Sequence, residues 1–199
     1  MNTNTVRMTT LMSFILLAGS NAFCGDSLHV VANGGFEIES VDERSPDTLV
    51  VVTCSDYVYS PFGKLKSPSD LKTSVLKGFR VRKFRKNQGN GTFQYYDLTF
   101  RSSHLILFFD DDPEAGAESY VMKGEITDRG VRFATEVTIG MTREEFAEIF
   151  FASFPKDRLG LYKAIVFESC VTGTRHIYVF NHNTLQRVRL ESVGSNWTF

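Results

Sequence analysis

The residues of this chain that could do chemistry are its histidines, cysteines, clustered aspartates and clustered arginines. His176 and His182 flank Tyr178 and Phe180 at alternate positions. On a strand they share a face, but at about 3.3 Å per residue they stand ~20 Å apart. Ligands must lie about 2 Å from a shared ion, so this pair cannot hold a metal. Cys170 could serve as a nucleophile with His104 or His176 as its base. No Gly-rich oxyanion loop surrounds it, however, and the chain has no G-x-S-x-G. The run Asp110-Asp111-Asp112-Pro113-Glu114 is rich in oxygen donors but lacks the alternating spacing of a calcium loop. Pro113 marks it as a hairpin tip. No phosphate-binding glycine pattern occurs. These readings assign no catalytic residue, metal or cofactor, and the chain is expected not to be an enzyme.

The basic residues form the most unusual grouping. Residues 64–86 carry Lys64, Lys66, Lys72, Lys77, Arg80, Arg82, Lys83, Arg85 and Lys86 against the single acid Asp70. Residues 23–63 reverse the bias, with Arg44 as their only Lys or Arg. Arg80 and Arg82 share one face of a strand, alternating with Phe79 and Val81. Such a surface attracts an acidic protein or an anionic envelope surface; otherwise it is a solvated edge that its own charge protects from pairing. Tyr57, Tyr59, Tyr95, Tyr96, Tyr178 and Trp197 exceed what a small core must hide, and Tyr, Trp and Arg dominate binding hot spots. The candidate binding residues are therefore Arg80, Arg82, Lys83, Arg85, Tyr57, Tyr59 and Tyr178.

Residues 1–22 have the organisation of a cleavable leader. Arg7 precedes the apolar run Leu11–Gly19, and Ser20-Asn21-Ala22 forms a small-residue exit, with cleavage expected after Ala22. The run is shorter than the ~20 residues of a membrane-spanning helix, and no later stretch is long and apolar enough. The expected location is extracytoplasmic, periplasmic or secreted. Cys24 follows the leader closely, but the bulky Phe23 before it argues against lipidation. In an oxidising compartment two of the three cysteines can pair, and Cys54 with Cys170 is the first choice because both sit in strand-like surroundings. The chain is 42% hydrophobic and 13% aromatic, which excludes disordered and fibrous classes. Its net charge of −1 falls slightly further when Arg7 is lost with the leader, which argues against a nucleic-acid partner.

The elements that must position these residues read as follows. Short strands fill 23–55, among them Leu28–Val31, Phe36–Glu39 and Thr48–Thr53. A helix is expected from Ser67 and Pro68 to Gly78. Strands over 79–86, 93–101, 104–109 and 120–126 follow, then a strand-like run over 131–139. A second helix starts at a Thr142/Glu145 capping box, carries Phe146, Ile149, Phe150 and Phe154 on one face, and ends at Pro155. Strands at 162–169, 176–181 and 185–192 close the domain, and 193–199 is a tail. Tyr95, Phe100 and Ser102 recur as Tyr162, Phe167 and Ser169 at equal spacing, so 56–128 and 131–192 are expected to be two α+β repeats. The expected class is α+β: an antiparallel sheet with short helices packed on one face, in tandem helix-plus-meander repeats.

The run Ile139-Gly140-Met141-Thr142-Arg143-Glu144-Glu145-Phe146 resembles the helix opening of the β-lactamase inhibitor protein-like superfamily. That superfamily includes the small lipoprotein of the outer-membrane β-barrel assembly machinery. His176 to Asn181 followed by Thr184 to Arg187 is similar to its closing hairpin. The likeness is good over 131–192 and weak over 56–128, where Phe62-Gly63 lacks the Met-Thr and the cap moves to Ser67. The inhibitor's cysteine pairs are not evident, and 27–55 has no counterpart. The resemblance implies an extracytoplasmic binding scaffold without naming a partner. The expected function is an exported, non-catalytic protein-binding module of the cell envelope, with an enzyme inhibitor or immunity-type protein as its sharper form. The alternatives are a small envelope hydrolase, or an envelope-assembly factor or binder of anionic surfaces.

Overall fold

In the computed structural model, residues 28, 30–89, 91–110 and 119–192 are described. The leader, Cys24, the acidic tip beyond Asp110 and the tail with Trp197 lie outside the described residues. The chain opens with the two-residue strand β1 (Val31–Ala32), then the hairpin β2 (Ser40–Ser45) and β3 (Thr48–Thr53). The one-turn helix α1 (Asp56–Tyr59) and a 3-10 turn (Pro68–Lys72) lead into a four-strand meander. Its strands are β4 (Arg80–Gln88), β5 (Gly91–Phe100), β6 (Ser103–Phe109) and β7 (Ser119–Ile126). Helix α2 (Arg143–Phe150), strand β8 (Phe151–Ser153) and helix α3 (Lys156–Leu159) precede a second meander: β9 (Ala164–Ser169), β10 (Thr174–Asn181) and β11 (Thr184–Ser192).

One nine-stranded sheet dominates, in the order β2-β3-β9-β10-β11-β7-β6-β5-β4. This corrects the expected α+β class: the described residues form a sheet-dominated fold with three short α-helices. The sheet is also mixed rather than antiparallel, because β3 runs parallel to β9 from Thr48↔Ala164 to Thr53↔Ser169. The tandem helix-plus-meander description fails with it, since one meander has four strands and the other three, behind unequal helices.

The missing helical content has local causes. The 3-10 turn does not grow into a helix to Gly78. Asp70 Oδ2 accepts the Lys66 and Ser67 amides at 2.8 and 3.1 Å and so caps the start, but beyond it Ser74 Oγ accepts the Leu76 amide at 3.2 Å. Side-chain acceptors of this kind compete with helix propagation. Helix α2 has the expected start: the Glu145 amide donates to Thr142 Oγ1 at 3.2 Å, and the Thr142 amide donates to Glu145 Oε2 at 2.7 Å. It ends one turn earlier than its apolar spacing suggests, because Phe151 and Ser153 extend to pair with Ala32 and Val31. The strand-like run at 131–139 keeps only the isolated bridge Arg132↔Thr138.

All the helices lie on one face of the sheet. Phe146 and Phe150 of α2 lie against Phe167 and Tyr178, with ring centroids between 4.7 and 6.4 Å. The core is completed by Leu49, Val51, Leu98, Leu105, Ile126, Val188 and Leu190, all on that face. Among the described residues no helix is long and apolar enough to cross a membrane.

Candidate functional site

The opposite face of the sheet exposes the arrangement that concerns function. Strand alternation sends Arg80, Arg82, Phe84 and Lys86 of β4 to this face, and Val81, Lys83 and Arg85 to the helix-covered side. The register then builds three adjacent rows. The first is aromatic and crosses four strands: Phe84↔Tyr95↔Phe108↔Tyr120. Successive ring centroids are 5.5, 5.5 and 6.4 Å apart, and Phe93 packs at 6.0 Å from Phe108. Ile106 and Met122 pack into the same cluster, which holds strand residues alone among the described residues. Burial raises the Tyr95 phenol above its ordinary pKa.

The other two rows are ionic. One reads Arg82↔Asp97↔Ile106↔Lys123↔Glu191↔Arg175↔Glu168, the other Arg80↔Thr99↔His104↔Glu125↔Arg189↔Ile177. Charges of opposite sign alternate along both. Asp97 is the most enclosed acid of these rows, with its side chain 13% exposed; it accepts from Arg82 Nη2 at 2.7 Å and meets His104 Nε2 at 2.7 Å. Arg189 Nε donates to Glu125 at 2.9 Å, and Arg175 Nη2 to Glu191 at 3.3 Å. Two shallow depressions of about 410 and 390 Å³ share His104 and Ile106 and lie along these rows. The face thus presents the exposed Phe93 and the half-buried Phe84, Phe108 and Tyr120 around the buried Tyr95, beside fixed charge pairs, a composition that suits recognition of a protein surface.

The residues singled out from sequence are divided by the fold. Arg80, Arg82, Lys83 and Arg85 are exposed on β4 at one end of the sheet. Tyr59 is half-buried, its hydroxyl 2.7 Å from Ser169 Oγ. Tyr57 and Tyr178 are corrections: both are buried in the core, hydroxyl to hydroxyl at 2.8 Å, and neither can meet a partner. Tyr95 and Tyr96 are buried as well. Phe84, Phe93, Phe108 and Tyr120 take the place that sequence reasoning gave to those tyrosines. Their signal was parity, because each shares an outward position with a charged residue of its own strand or of the strand beside it.

Cys54 and Cys170 form a disulfide with Cα atoms 5.2 Å apart. They follow the ends of the parallel strands β3 and β9, where the Cys170 amide donates to the Thr53 carbonyl at 3.0 Å. The bond leaves Cys170 no thiolate, so it cannot act as a nucleophile with either histidine. Among the described residues no group of three or more His, Cys, Asp and Glu is placed to hold a metal ion. His182 is exposed at a left-handed turn position, φ 54°.

His176 is fully buried, its Nδ1 3.3 Å from the Tyr178 hydroxyl and its ring 5.4 Å from that of Tyr57. Burial pushes its pKa down to about 3, against a smaller upward pull from the Val58 carbonyl. The unfolded chain therefore binds a proton at this residue before the folded one does. Stability from neutral His176 is complete above pH ~6.5 and is lost as pH falls toward 3, by about 2 kcal/mol between pH 6.5 and 5. Urea titrations across this range should show that loss, and His176→Gln should flatten it; an unchanged acid limb would contradict the assignment.

Comparison of the chain with protein-family models, curated proteins and solved structures finds no match.

Proposed function

We propose that the protein is an exported, non-catalytic binding module of the cell envelope that docks another protein on the open face of its sheet. The observation that carries the reading is the aromatic row Phe84, Phe108 and Tyr120, half-buried around the buried Tyr95, with the exposed Phe93 beside it; it lies outside the main core and next to the Arg82–Asp97–His104 cluster. Aromatic area flanked by arginine is the composition of interface hot spots. The leader-like residues 1–22 support an extracytoplasmic setting, and so does the disulfide. The resemblance of 131–192 to the β-lactamase inhibitor protein-like superfamily supports a scaffold that binds protein, with an inhibitor or immunity-type role as its narrower form. The hydrolase alternative loses its cysteine nucleophile to the bond with Cys54.

The test is affinity capture from envelope extract, comparing the protein with a Phe93→Ala/Tyr120→Ala variant. Phe93 is 40% exposed and Tyr120 is half-buried, so the variant should melt close to the parent. A partner held by the parent should be retained about tenfold less by the variant, the loss expected for anchor residues. Capture that is indifferent to both residues, or no partner at all, would overturn the proposal.

A further inference from the structure

We infer that β4 is a strand-addition edge whose occupant is an acidic, extended segment of a partner protein. The inference rests on the protein-binding reading and adds where the partner's backbone runs. β4 is the last strand of the sheet, and no described strand lies on its far side. It pairs with β5 from Arg80↔Thr99 to Gln88↔Gly91 without a register shift. Alternate backbone N–H and C=O groups along that outer side therefore pair with no described strand. Natural edges are usually cut short, bulged, covered or charged; β4 is nine residues long and regular, so its basic side chains are its guard, and an acidic strand neutralises that guard.

Its ionisable side chains are all basic. Arg80 and Arg82 project to the open face beside Phe84, while Lys83 and Arg85 project to the other. Arg80, Lys83 and Arg85 are exposed and make no ion pair with a described residue. A second copy of β4 laid alongside would oppose like charges, for instance Arg82 with Lys86 and Lys83 with Arg85 in an antiparallel register centred on Phe84, which disfavours self-pairing. A strand with acids on both faces meets the reverse condition. Its backbone would supply the ladder, and its carboxylates would face Arg80, Lys83 and Arg85. A side chain beside Phe84 would continue the aromatic row, joining the edge to the open face. Main-chain pairing with side chains read alternately is an established mode of peptide recognition.

The experiment uses the protein expressed from its full reading frame. The probe is a fluorescein-labelled nine-residue peptide of three Glu-Val-Thr repeats, whose glutamates fall on both faces of an extended strand, read by anisotropy. Two control peptides have the same charge: one with alternate amides N-methylated, the other flexible and rich in glycine and serine. The strand-forming peptide should bind at least about tenfold more tightly than either control and weaken steeply between low and high salt. Arg80→Glu/Arg85→Glu should abolish binding, and Arg80→Gln/Arg85→Gln should weaken it by about tenfold if charge selects the occupant. Equal binding of the N-methylated peptide would overturn strand addition. Failure of every acidic peptide would overturn the choice of partner. Sedimentation showing self-association that Arg80→Glu/Arg85→Glu removes would replace the acidic partner with a second copy. The Phe93→Ala/Tyr120→Ala variant should still bind the peptide, so failure at the edge and failure of the open-face reading are separable.

Discussion

Phe150→Ala should destabilise the protein by about 4 kcal/mol, the range for truncating a buried aromatic ring. Phe150 is 1% exposed and touches one ring of its own helix and rings from three other segments. Its centroid lies 5.0 Å from Phe36, 5.2 Å from Tyr57, 4.9 Å from Phe146 and 4.7 Å from Phe167. These partners come from the N-terminal segment, α1, α2 and β9, so the cavity left by the substitution cannot close through the shift of one element. Denaturant unfolding should show an earlier midpoint with little change of slope. A loss under about 1 kcal/mol would mean that the neighbouring rings collapse into the space, against the packing described.

Removing the disulfide should have an effect of similar size. Cys54 and Cys170 are separated by 116 positions, so the bond closes a long loop in the unfolded chain. Chain-entropy reasoning puts the stabilisation at about 5 kcal/mol. Cys54→Ser/Cys170→Ser should therefore lower Tm by about 15 °C. Reductant should lower the Tm of the parent by a similar amount and leave the variant unmoved. An equal Tm with and without reductant would show that the bond adds nothing to stability. The bond also clamps the parallel pair β3–β9, which joins the N-terminal hairpin to the rest of the sheet. Its loss should be felt first as faster exchange of the β2 and β3 amides.

How much could be read from the residues alone follows the range of the forces involved. The capping box of α2 and the alternating strands of the second meander are set by neighbours a few positions away, and their sequence signals are direct. The helix expected after Ser67 has its capping box but stops short, because Ser74 draws the Leu76 amide to its own oxygen. The basic character of residues 80–86 was visible. That this segment is the terminal strand of the sheet was not, since edge position depends on which strands pair.

The aromatic residues show the limit most clearly. Tyr57 and Tyr178 have the composition of a hot spot and lie in the core, hydroxyl to hydroxyl, while Phe84 and Phe108 have the composition of a core and lie on the open face. By itself the sequence determined the alternating strands of the meanders, the start of α2 and the charge asymmetry, because periodicity, capping and composition act over one or two turns of chain. Only the tertiary structure decided the parallel pairing of β3 with β9, the side of the sheet that the helices cover and the alignment of four rings across β4 to β7. Those depend on cross-strand register between segments far apart in sequence, where a slip of one residue would turn every side chain to the other face.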